Sequence, residues 1–213
     1  MSDQVVPLTR PPRWWSDYSD ASVTPILRAA LNCFVESGYH GTTIRNLAAA
    51  AGLSVPGLYH HYDSKHSILV ALMTSAMTDL YSRSSAALDD AGDSIPERFE
   101  SLIECLVLFH AHRAQLAFIA ASELRSLEPV ARAGLVAARD RQQRLLDDVV
   151  DAGIAEGIFV AERPRDASRA IVTMCTGVAQ WYHPGGSLSP EDLSREYVGY
   201  SLRLLGAPLP GRK

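Results

Sequence analysis

Signals that start a helix recur along this chain, and they constrain its fold more than any other feature. A Thr or Ser that can cap a helix stands at residues 24, 43, 54 and 64, and Pro25 and Pro56 follow in first turns, where the missing N–H of proline costs nothing. Apolar residues then repeat at intervals of three and four, as on one face of a helix. No segment shows the apolar-polar alternation or the Asn-Gly turns that hairpins need. The sequence therefore predicts an all-α fold.

Glycine and proline divide the predicted helices into a short group and a long group. After a polar, proline-containing arm at 1–22, the first helix runs from Thr24 to Gly38, and Gly52 separates the next two, which begin at Thr43 or its neighbour and at Ser54. The longer helices are predicted at about 64 to 88, 95 to 111, 114 to 126, 128 to 156, 166 to 182 and 190 to 205.

The composition excludes several classes of protein. With 213 residues and 47% hydrophobic side chains the chain is long enough to bury a core, and a net charge of −4 argues against a protein that coats nucleic acid nonspecifically. The longest apolar runs, such as residues 48–55, are far shorter than the roughly 20 residues that span a bilayer. No apolar stretch with a cleavage site follows the N-terminal arginines. We therefore expect a cytoplasmic protein with no membrane segment.

Residue types that carry catalysis or bind metal do not occur in a usable pattern. Cys33, Cys105 and Cys175 lie far apart inside apolar helical patterns, which favours free buried thiols over a disulfide or a metal ligand. His110 and His112 point to different faces of a helix. No paired carboxylates, nucleophile with a base, or Gly-rich phosphate loop can be placed. The sequence therefore predicts no enzyme, no cofactor and no metal site.

The two short helices on either side of Gly52 have the geometry of a helix-turn-helix, whose second helix presents its N-terminal residues to the major groove of DNA. Between Glu36 and Asp63 there is no acidic residue, and Arg45 lies within this window. A surface that faces phosphates needs such an absence, because a carboxylate would be repelled. Basic and acidic residues nevertheless balance over residues 1–65. A helical binding or adaptor protein that does not engage DNA is therefore the alternative.

A family resemblance is carried by residues 38–69, which read GYHGTTIRNLAAAAGLSVPGLYHHYDSKHSIL. This stretch resembles the DNA-binding head of the TetR family of bacterial repressors, and the likeness covers residues 24 to about 72. The resemblance implies a helix-turn-helix DNA-binding domain at 23–70 that binds a palindromic double-stranded operator. The implied contacts are Thr43 and Tyr59 with phosphates, Arg45 with a base or phosphate, Ser54, Val55, Pro56, Gly57 and His60 with the groove, and Lys65 with a phosphate.

Several of these residues also have a purely structural interpretation. Val55 departs from the family, in which many members have a polar or basic residue there; it can touch a thymine methyl but donates no hydrogen bond. Tyr59 would be a core aromatic if the helix phase were different, and Lys65 would by default be a solvated residue at a helix start. The pair Trp14 and Trp15 favours an arm that is anchored on the core over an arm that enters a minor groove.

The resemblance further implies that residues 71–208 form a helical effector-binding and dimerisation domain. The last predicted helix has two apolar faces, and one helix with two buried faces needs two partners. The first face contains Leu193, Tyr197, Tyr200 and Leu204, and the second contains Val198, Leu202 and Leu205. We therefore expect a homodimer that forms through residues 166–205.

The segment from Arg139 to Phe159, with QWYHPGG after it, is similar to a subgroup of these repressors that senses coenzyme A thioesters in fatty-acid or steroid breakdown. An acyl-CoA effector is therefore expected, with an apolar cavity for the acyl group and arginines for the phosphates. The candidate lining residues are Met77, Phe109, Phe118, Met174 and Trp181, and the candidate arginines are Arg113, Arg125, Arg139 and Arg141. The alternative is that the aromatic and methionine side chains belong to the core.

Overall fold

The computed structural model describes residues 13–20 and 23–207, and within them all regular structure is helical, which confirms the all-α prediction. A 3-10 turn at Trp14–Ser16 precedes the α-helices, and a second one at Glu123–Ser126 follows α6. The α-helices are α1 (Pro25–Gly41), α2 (Ile44–Ala50), α3 (Val55–Tyr59), α4 (Lys65–Asp90), α5 (Ile95–His112), α6 (Ala114–Ser122), α7 (Pro129–Ala155), α8 (Pro164–Trp181) and α9 (Pro190–Leu204).

The capping residues act as the sequence predicts. The hydroxyl oxygen of Thr24 accepts a hydrogen bond from the backbone N–H of Leu27, and Ser64 caps α4 by accepting from the N–H of Ser67 at 3.0 Å. Gly38 has a φ of 69°, a left-handed conformation that favours glycine, so the regular helix breaks there although one more turn follows to Gly41. The expected end of the first helix is therefore a kink inside α1.

The N-terminal head, which consists of α1 to α3, shares its hydrophobic core with the longer helices. Side chains of α1, α2 and α3 pack in one cluster with the first half of α4, with Leu116 and Ile119 of α6 and with Leu135 of α7. A second cluster joins α5, α7, α8 and α9 around Phe99 and Phe159. The head therefore rests directly on α6 and α7, and α4 links the two clusters.

The N-terminal segment, residues 13–20, is anchored as the sequence favours. Trp15 is buried, and its indole Nε1 donates to a carboxylate oxygen of Asp90 at 2.9 Å. Arg83 of α4 lies beneath the segment with only 1% of its surface exposed. Its Nη1 donates to the Asp17 carbonyl at 2.7 Å and to the Trp15 carbonyl at 3.1 Å, and its Nε donates to Asp79. The earlier arm residues of the sequence prediction, 1–12, lie outside the described residues.

The last helix packs differently from the prediction, so its expected division into two apolar faces is wrong. Leu193 and Tyr197, from the first expected face, are buried in the same cluster as Leu202 from the second. Tyr200 and Leu204, also from the first face, are 44% and 49% exposed. One broad face of α9 therefore packs inside the chain, and only an edge stays open for a partner.

A polar cluster joins α7 to α8 around Asp147. Arg165 donates to its carboxylate at 2.7 Å, Ser168 donates at 2.5 Å and Gln143 at 2.9 Å. Burial alone would raise the pKa of Asp147, but these donors more than offset it and hold the pKa below its usual value. Close packing follows six residues later in α7, because a Cβ built on Gly153 would lie 2.2 Å from the Phe159 ring.

Among the described residues, no single helix has the length and apolar character needed to cross a membrane, while α5 and residues 114–126 pass that test only as a pair bent by 92°. The three cysteines are free thiols; Cys105 and Cys175 are buried, and Cys33 is half-buried. Within the same part of the chain, no three His, Cys, Asp or Glu side chains gather into a group that would hold a metal ion.

Candidate DNA-binding surface and effector site

The turn between α2 and α3 is built around Gly52, whose φ of 67° is left-handed. The backbone N–H of Leu53 donates to the Ala48 carbonyl at 2.9 Å and closes the end of α2. Leu47 and Leu58 are buried, so each of the two helices is fixed on the head core by its inner face. The outer faces of α2 and α3 are left for a partner.

The structure exposes six of the expected DNA-contacting residues on the outside of the head, including the helix caps Thr43 and Ser54. Tyr59 is 47% exposed, one residue after the fully buried Leu58, which agrees with the helix phase expected from the sequence. Arg45, Pro56 and His60 are also exposed. Exposure makes these side chains available to DNA, and their role as contacts stays a prediction.

Thr43, Ser54 and Gly57 have a structural role in addition to the expected contact with DNA. The Thr43 hydroxyl accepts from the N–H of Asn46 at 3.2 Å, and the Ser54 hydroxyl accepts from the N–H of Gly57 at 3.1 Å, so both residues cap helices of the motif. A Cβ on Gly57 would lie 3.2 Å from the Ser54 oxygen, which explains why glycine fits there. Val55 is half-buried and packs on the head core, so only part of its side chain faces outward, and its contact with the groove stays a prediction.

Lys65 occupies a different place from the one expected. Its Nζ donates to the carbonyls of Tyr39 at 2.8 Å and Thr42 at 2.7 Å, and it lies 4.3 Å from the centre of the Tyr39 ring. Two of its three N–H donors therefore join the start of α4 to the end of α1. One donor is left for a phosphate, and the expected phosphate contact stays a prediction.

Two histidines join the head and the start of α4 to the connection between α6 and α7. His66 of α4 accepts a hydrogen bond from the backbone N–H of Glu128 at 3.1 Å, and the ring of His40 lies 3.3 Å from the hydroxyl of Ser126. Burial, together with the charges of Glu128 and Glu123, raises the pKa of the neighbouring Tyr39. A displacement of the start of α7 would therefore also displace the residues of the head that are hydrogen-bonded to this connection.

An open groove runs between α4 and α7 and has a cavity volume of about 520 Å³. We call it the α4–α7 groove. Its α4 wall includes Val70, Met77 and Tyr81, and its α7 wall is made mainly of small residues with Arg141 at one position. A Cβ on Gly134 would meet nothing within 4 Å, so the groove is open at this glycine. An apolar chain fits such a surface, and a guanidinium at its edge suits an anionic group.

A second cavity of about 520 Å³ lies between α1, the junction of α5 and α6, and the end of α8. We call it the α1–α6 cleft. Arg28 and Leu31 of α1 form one side, Arg113 and Phe118 lie at the junction and on α6, and Tyr182 follows α8. Phe118 is 42% exposed there.

The expected effector residues do not come together in one cavity. Met77 lines the α4–α7 groove and Phe118 the α1–α6 cleft, whereas Phe109 is buried and Met174 is partly buried in the core of α5, α7, α8 and α9. For those two, the core alternative is correct, because their helical phase turns them toward the packed interior. Trp181 is 49% exposed at the end of α8 and lines none of the described cavities.

The four arginines expected to bind the effector also lie in different places. Arg125 is exposed on the short 3-10 turn and lines none of the described cavities, so its expected role in the pocket is not supported by its position. Arg139 points inward and donates to the Ala120 carbonyl. Arg141 borders the α4–α7 groove and Arg113 the α1–α6 cleft.

The small residues of α7 are the part of the groove that the sequence analysis missed. Ala131, Gly134 and Ala138 recur at intervals of three and four, so they share one face of the helix and leave room opposite α4. This spacing is a signal that the sequence contained. Large side chains form cores as well as pockets, so they do not indicate a cavity by themselves.

Comparisons with known proteins agree with this architecture. Residues 26–72 match the family model described as bacterial regulatory proteins, tetR family, and residues 92–205 match the one described as tetracyclin repressor-like, C-terminal domain. The chain is 30% identical over 182 residues to the HTH-type transcriptional repressor KstR2 of Mycobacterium tuberculosis, which covers 83% of this chain and 89% of that protein.

Two solved structures are similar over most of their length. A bacterial regulatory protein in the tetR family from Rhodococcus RHA1 has a TM-score of 0.80 and 27% identity, over 89% of this chain and 100% of the other. The ketosteroid transcriptional regulator KstR2 of Mycobacterium tuberculosis has a TM-score of 0.76 and 26% identity, over 84% of this chain and 91% of the other. The similarity therefore extends through the head and the long helices alike.

Proposed function

The chain belongs to the TetR family of bacterial regulatory proteins, and from this premise we propose that it is a repressor that a small-molecule effector releases from a palindromic operator. Like its repressor relatives, it is a DNA-binding transcriptional repressor. Like the other members of its family, it is not an enzyme. The alternative of a helical adaptor that does not engage DNA is therefore wrong. Regulators of this family bind operator DNA as dimers.

The observation that carries the DNA-binding part is the outer surface of α2 and α3. Arg45, Tyr59 and His60 are exposed together on a motif whose inner face is fixed by buried leucines. No carboxylate occurs between Glu36 and Asp63, so phosphates approach this surface without repulsion from its own residues. We place the DNA-binding domain at 23–70, after the arm at 1–22, and the effector-binding and dimerisation domain at 71–208.

The test is a fluorescence anisotropy titration of the chain with its own upstream DNA and with random DNA of equal length. We expect a preference for the upstream DNA and a steep loss of affinity with salt, because phosphate contacts release counterions. Tyr59→Ala should weaken binding to both DNAs, and Arg45→Ala should also reduce the preference between them. Arg144→Ala, an exposed arginine of α7, is the matched control. An absence of preference in the wild type would refute the proposal.

For the effector we propose a coenzyme A thioester with an apolar acyl or steroid group. The relative KstR2, a ketosteroid transcriptional regulator, supports the steroid part of this proposal. The α4–α7 groove supports it physically, since it combines apolar walls with Arg141. The acyl group lies along Met77 and Gly134, and the arginine meets the charged part of the ligand. Arg125, Phe109 and Met174 are not part of this site.

Release of DNA follows from the position of α4. The middle of α4 lines the groove, and its first residue, Lys65, donates hydrogen bonds to carbonyls at the end of α1 and just after it. A ligand that moves α4 away from α7 therefore moves the head. Binding must favour the displaced arrangement, since a ligand with equal affinity for both states shifts nothing. A ~100-fold loss of operator affinity needs about 2.7 kcal/mol of coupling, which is within the usual range.

The effector test titrates operator complexes with acyl-CoA esters and with the free acids. We expect the thioesters to release DNA and the free acids to do so poorly. Gly134→Leu should abolish the response by filling the groove while leaving DNA binding intact, and Ala137→Leu, an exposed position of the same helix, should leave both unchanged. Equal potency of acid and thioester would remove coenzyme A recognition, and a full response of Gly134→Leu would exclude the groove.

We also propose that the dimer forms through residues 166–205, near the ends of α8 and α9. Trp181, Tyr200 and Leu204 are each between 44% and 49% exposed there, although large apolar side chains are usually covered. A twofold contact buries the same edge on both copies. Because an operator lies on cytoplasmic DNA, the cytoplasmic location expected from the sequence is part of the same proposal.

A further inference from the structure

The α1–α6 cleft has features that the proposed effector site does not use. We propose that it is a second ligand site, which binds a carboxylate with an apolar body. The site is separate from the α4–α7 groove, with which it shares no lining residue. It therefore extends the proposed function with a ligand of another chemical class.

The apolar part of the ligand would lie on the walls of the cleft. Leu31 and Val35 of α1 face Leu116 and Phe118 of α6 across it, and Tyr182 adds an aromatic surface. Phe118 keeps 42% of its surface exposed, so a ligand that covers its ring gains hydrophobic free energy. The volume of about 520 Å³ is in the range of small-molecule sites.

The charged groups of the cleft favour an anion. Arg28 and Arg113 line it, and no acidic residue of the described chain does, although the net charge of the chain is −4. Arg28 is exposed and forms no salt bridge with any residue that the structure describes. A guanidinium binds a carboxylate by two parallel hydrogen bonds, which is stronger and more specific than a contact with a neutral group.

The chain itself shows how Arg113 binds a carboxylate. Its Nη2 donates to a carboxylate oxygen of Asp20 at 2.7 Å and to the Asp20 carbonyl at 3.1 Å. Its Nε is buried without a hydrogen-bond partner among the described atoms and lies 3.9 Å from Asp79. Asp20, whose side chain is 61% exposed, also contacts Arg83. Asp20 is therefore an internal competitor, and a ligand carboxylate at Arg113 would have to share or displace it.

The position of the cleft gives such a ligand an effect on the head. Arg28 belongs to α1 of the head, whereas Arg113 lies at the bend between α5 and α6. A bound carboxylate with contacts on both sides stabilises the one arrangement of head and long helices in which both contacts fit. Ligand binding there is consequently coupled to DNA binding.

The test is isothermal titration calorimetry of the full chain with decanoate, decanamide and inorganic phosphate. We expect decanoate to bind at least about tenfold more tightly than decanamide, and phosphate alone not to bind, because the site needs both the charge and the apolar body. Arg28→Gln should weaken decanoate about tenfold. Asp20→Asn should strengthen it about threefold by removing the competing carboxylate. Arg144→Gln, an exposed arginine on α7, should have no effect.

Other outcomes overturn the proposal. Equal affinity for decanoate and decanamide, or binding of phosphate as tight as that of decanoate, would show that the assumed recognition is absent. Decanoate binding that Gly134→Leu abolishes and Arg28→Gln leaves unchanged would place the carboxylate in the α4–α7 groove instead. The coenzyme A proposal is judged separately by release of operator DNA, so either proposal can fail alone.

Discussion

The replacement of Arg83 by Met should destabilise the protein strongly while preserving its shape. Burial opposes the charge of this guanidinium, but Asp79, Tyr18 and Asp20 raise the pKa of Arg83 overall, so it is charged in the folded protein. Methionine fills a similar volume and donates no hydrogen bond. The variant therefore removes the polar contacts and keeps most of the packing.

The magnitude follows from what the substitution leaves behind. Asp79, with 19% of its side chain exposed, loses the Nε donor at 2.8 Å, and the carbonyls of Trp15 and Asp17 lose the Nη1 donor. Removal of one partner from a buried ion pair costs about 3–5 kcal/mol. Asp20 is 61% exposed and water replaces its lost contact, so we expect the lower part of this range, about 3 kcal/mol.

The assay is urea denaturation followed by circular dichroism, with both proteins at the same concentration because the stability of a dimer depends on it. A loss of about 3 kcal/mol corresponds to a fall in Tm of roughly 6–12 °C for a chain of this size. Arg83→Lys should lose about half as much, because an ammonium cannot reach all the acceptors of a planar guanidinium. Arg144→Met, at an exposed position, should change stability by less than about 0.5 kcal/mol.

A loss below about 1 kcal/mol in Arg83→Met would refute this reasoning. It would mean that the other contacts of the N-terminal segment, such as buried Trp15 and the hydrogen bond from Arg113 to Asp20, are enough to hold it. Limited proteolysis then distinguishes a segment that stays bound from one that detaches: cleavage within residues 13–20 should rise in Arg83→Met and not in Arg144→Met.

Three further predictions concern other parts of the chain. Tyr200→Glu or Leu204→Glu should give monomers with weakened operator binding, because each puts a charge on the proposed dimer edge; light scattering checks this, and a monomeric wild type would contradict it. Asp147→Asn should lower stability at pH 7, and the difference from wild type should shrink as pH falls below about 4, because the stabilisation by a carboxyl with a lowered pKa is lost on protonation; urea midpoints at several pH values test the sign. Gly153→Ala should cost about 1–3 kcal/mol in the same assay, since its Cβ would overlap the Phe159 ring, and an unchanged midpoint would show that the ring moves freely.

The helices of this fold could be predicted because their signals are local. Thr24, Ser54 and Ser64 cap helices through hydrogen bonds that span only three residues, and Gly52 supplies a left-handed turn. Pro164 begins α8, two residues before the predicted start at 166, as proline does in a first turn. These elements depend on the nearest neighbours in the chain, which the sequence displays directly.

The candidate sites could be predicted only where helix phase decides exposure. Tyr59 and Leu58 are adjacent, and their opposite orientations follow from the helix alone. The surroundings of Lys65 and Phe109 could not be predicted, because they come from distant parts of the chain. The carbonyls that accept hydrogen bonds from Lys65 are more than twenty residues away, and Phe109 belongs to the core that α5, α7, α8 and α9 share. Apolar periodicity shows that a side chain is turned inward and does not show whether the interior there is filled.

The length of α4 determines how far a ligand must tilt this helix in order to displace the head. From Met77 in the groove to Lys65 at the start of the helix the rise is about 18 Å, at about 1.5 Å per residue. A rigid tilt of about 5° around Met77 therefore moves the first turn by roughly 1.6 Å. Hydrogen bonds form over donor–acceptor distances of about 2.7–3.2 Å, so this displacement is larger than the width of that range, about 0.5 Å. A small tilt of α4 beside the ligand therefore becomes a larger displacement of its first turn, which lies next to the head. Neither the head nor the long helices need to unfold for an operator contact to be lost.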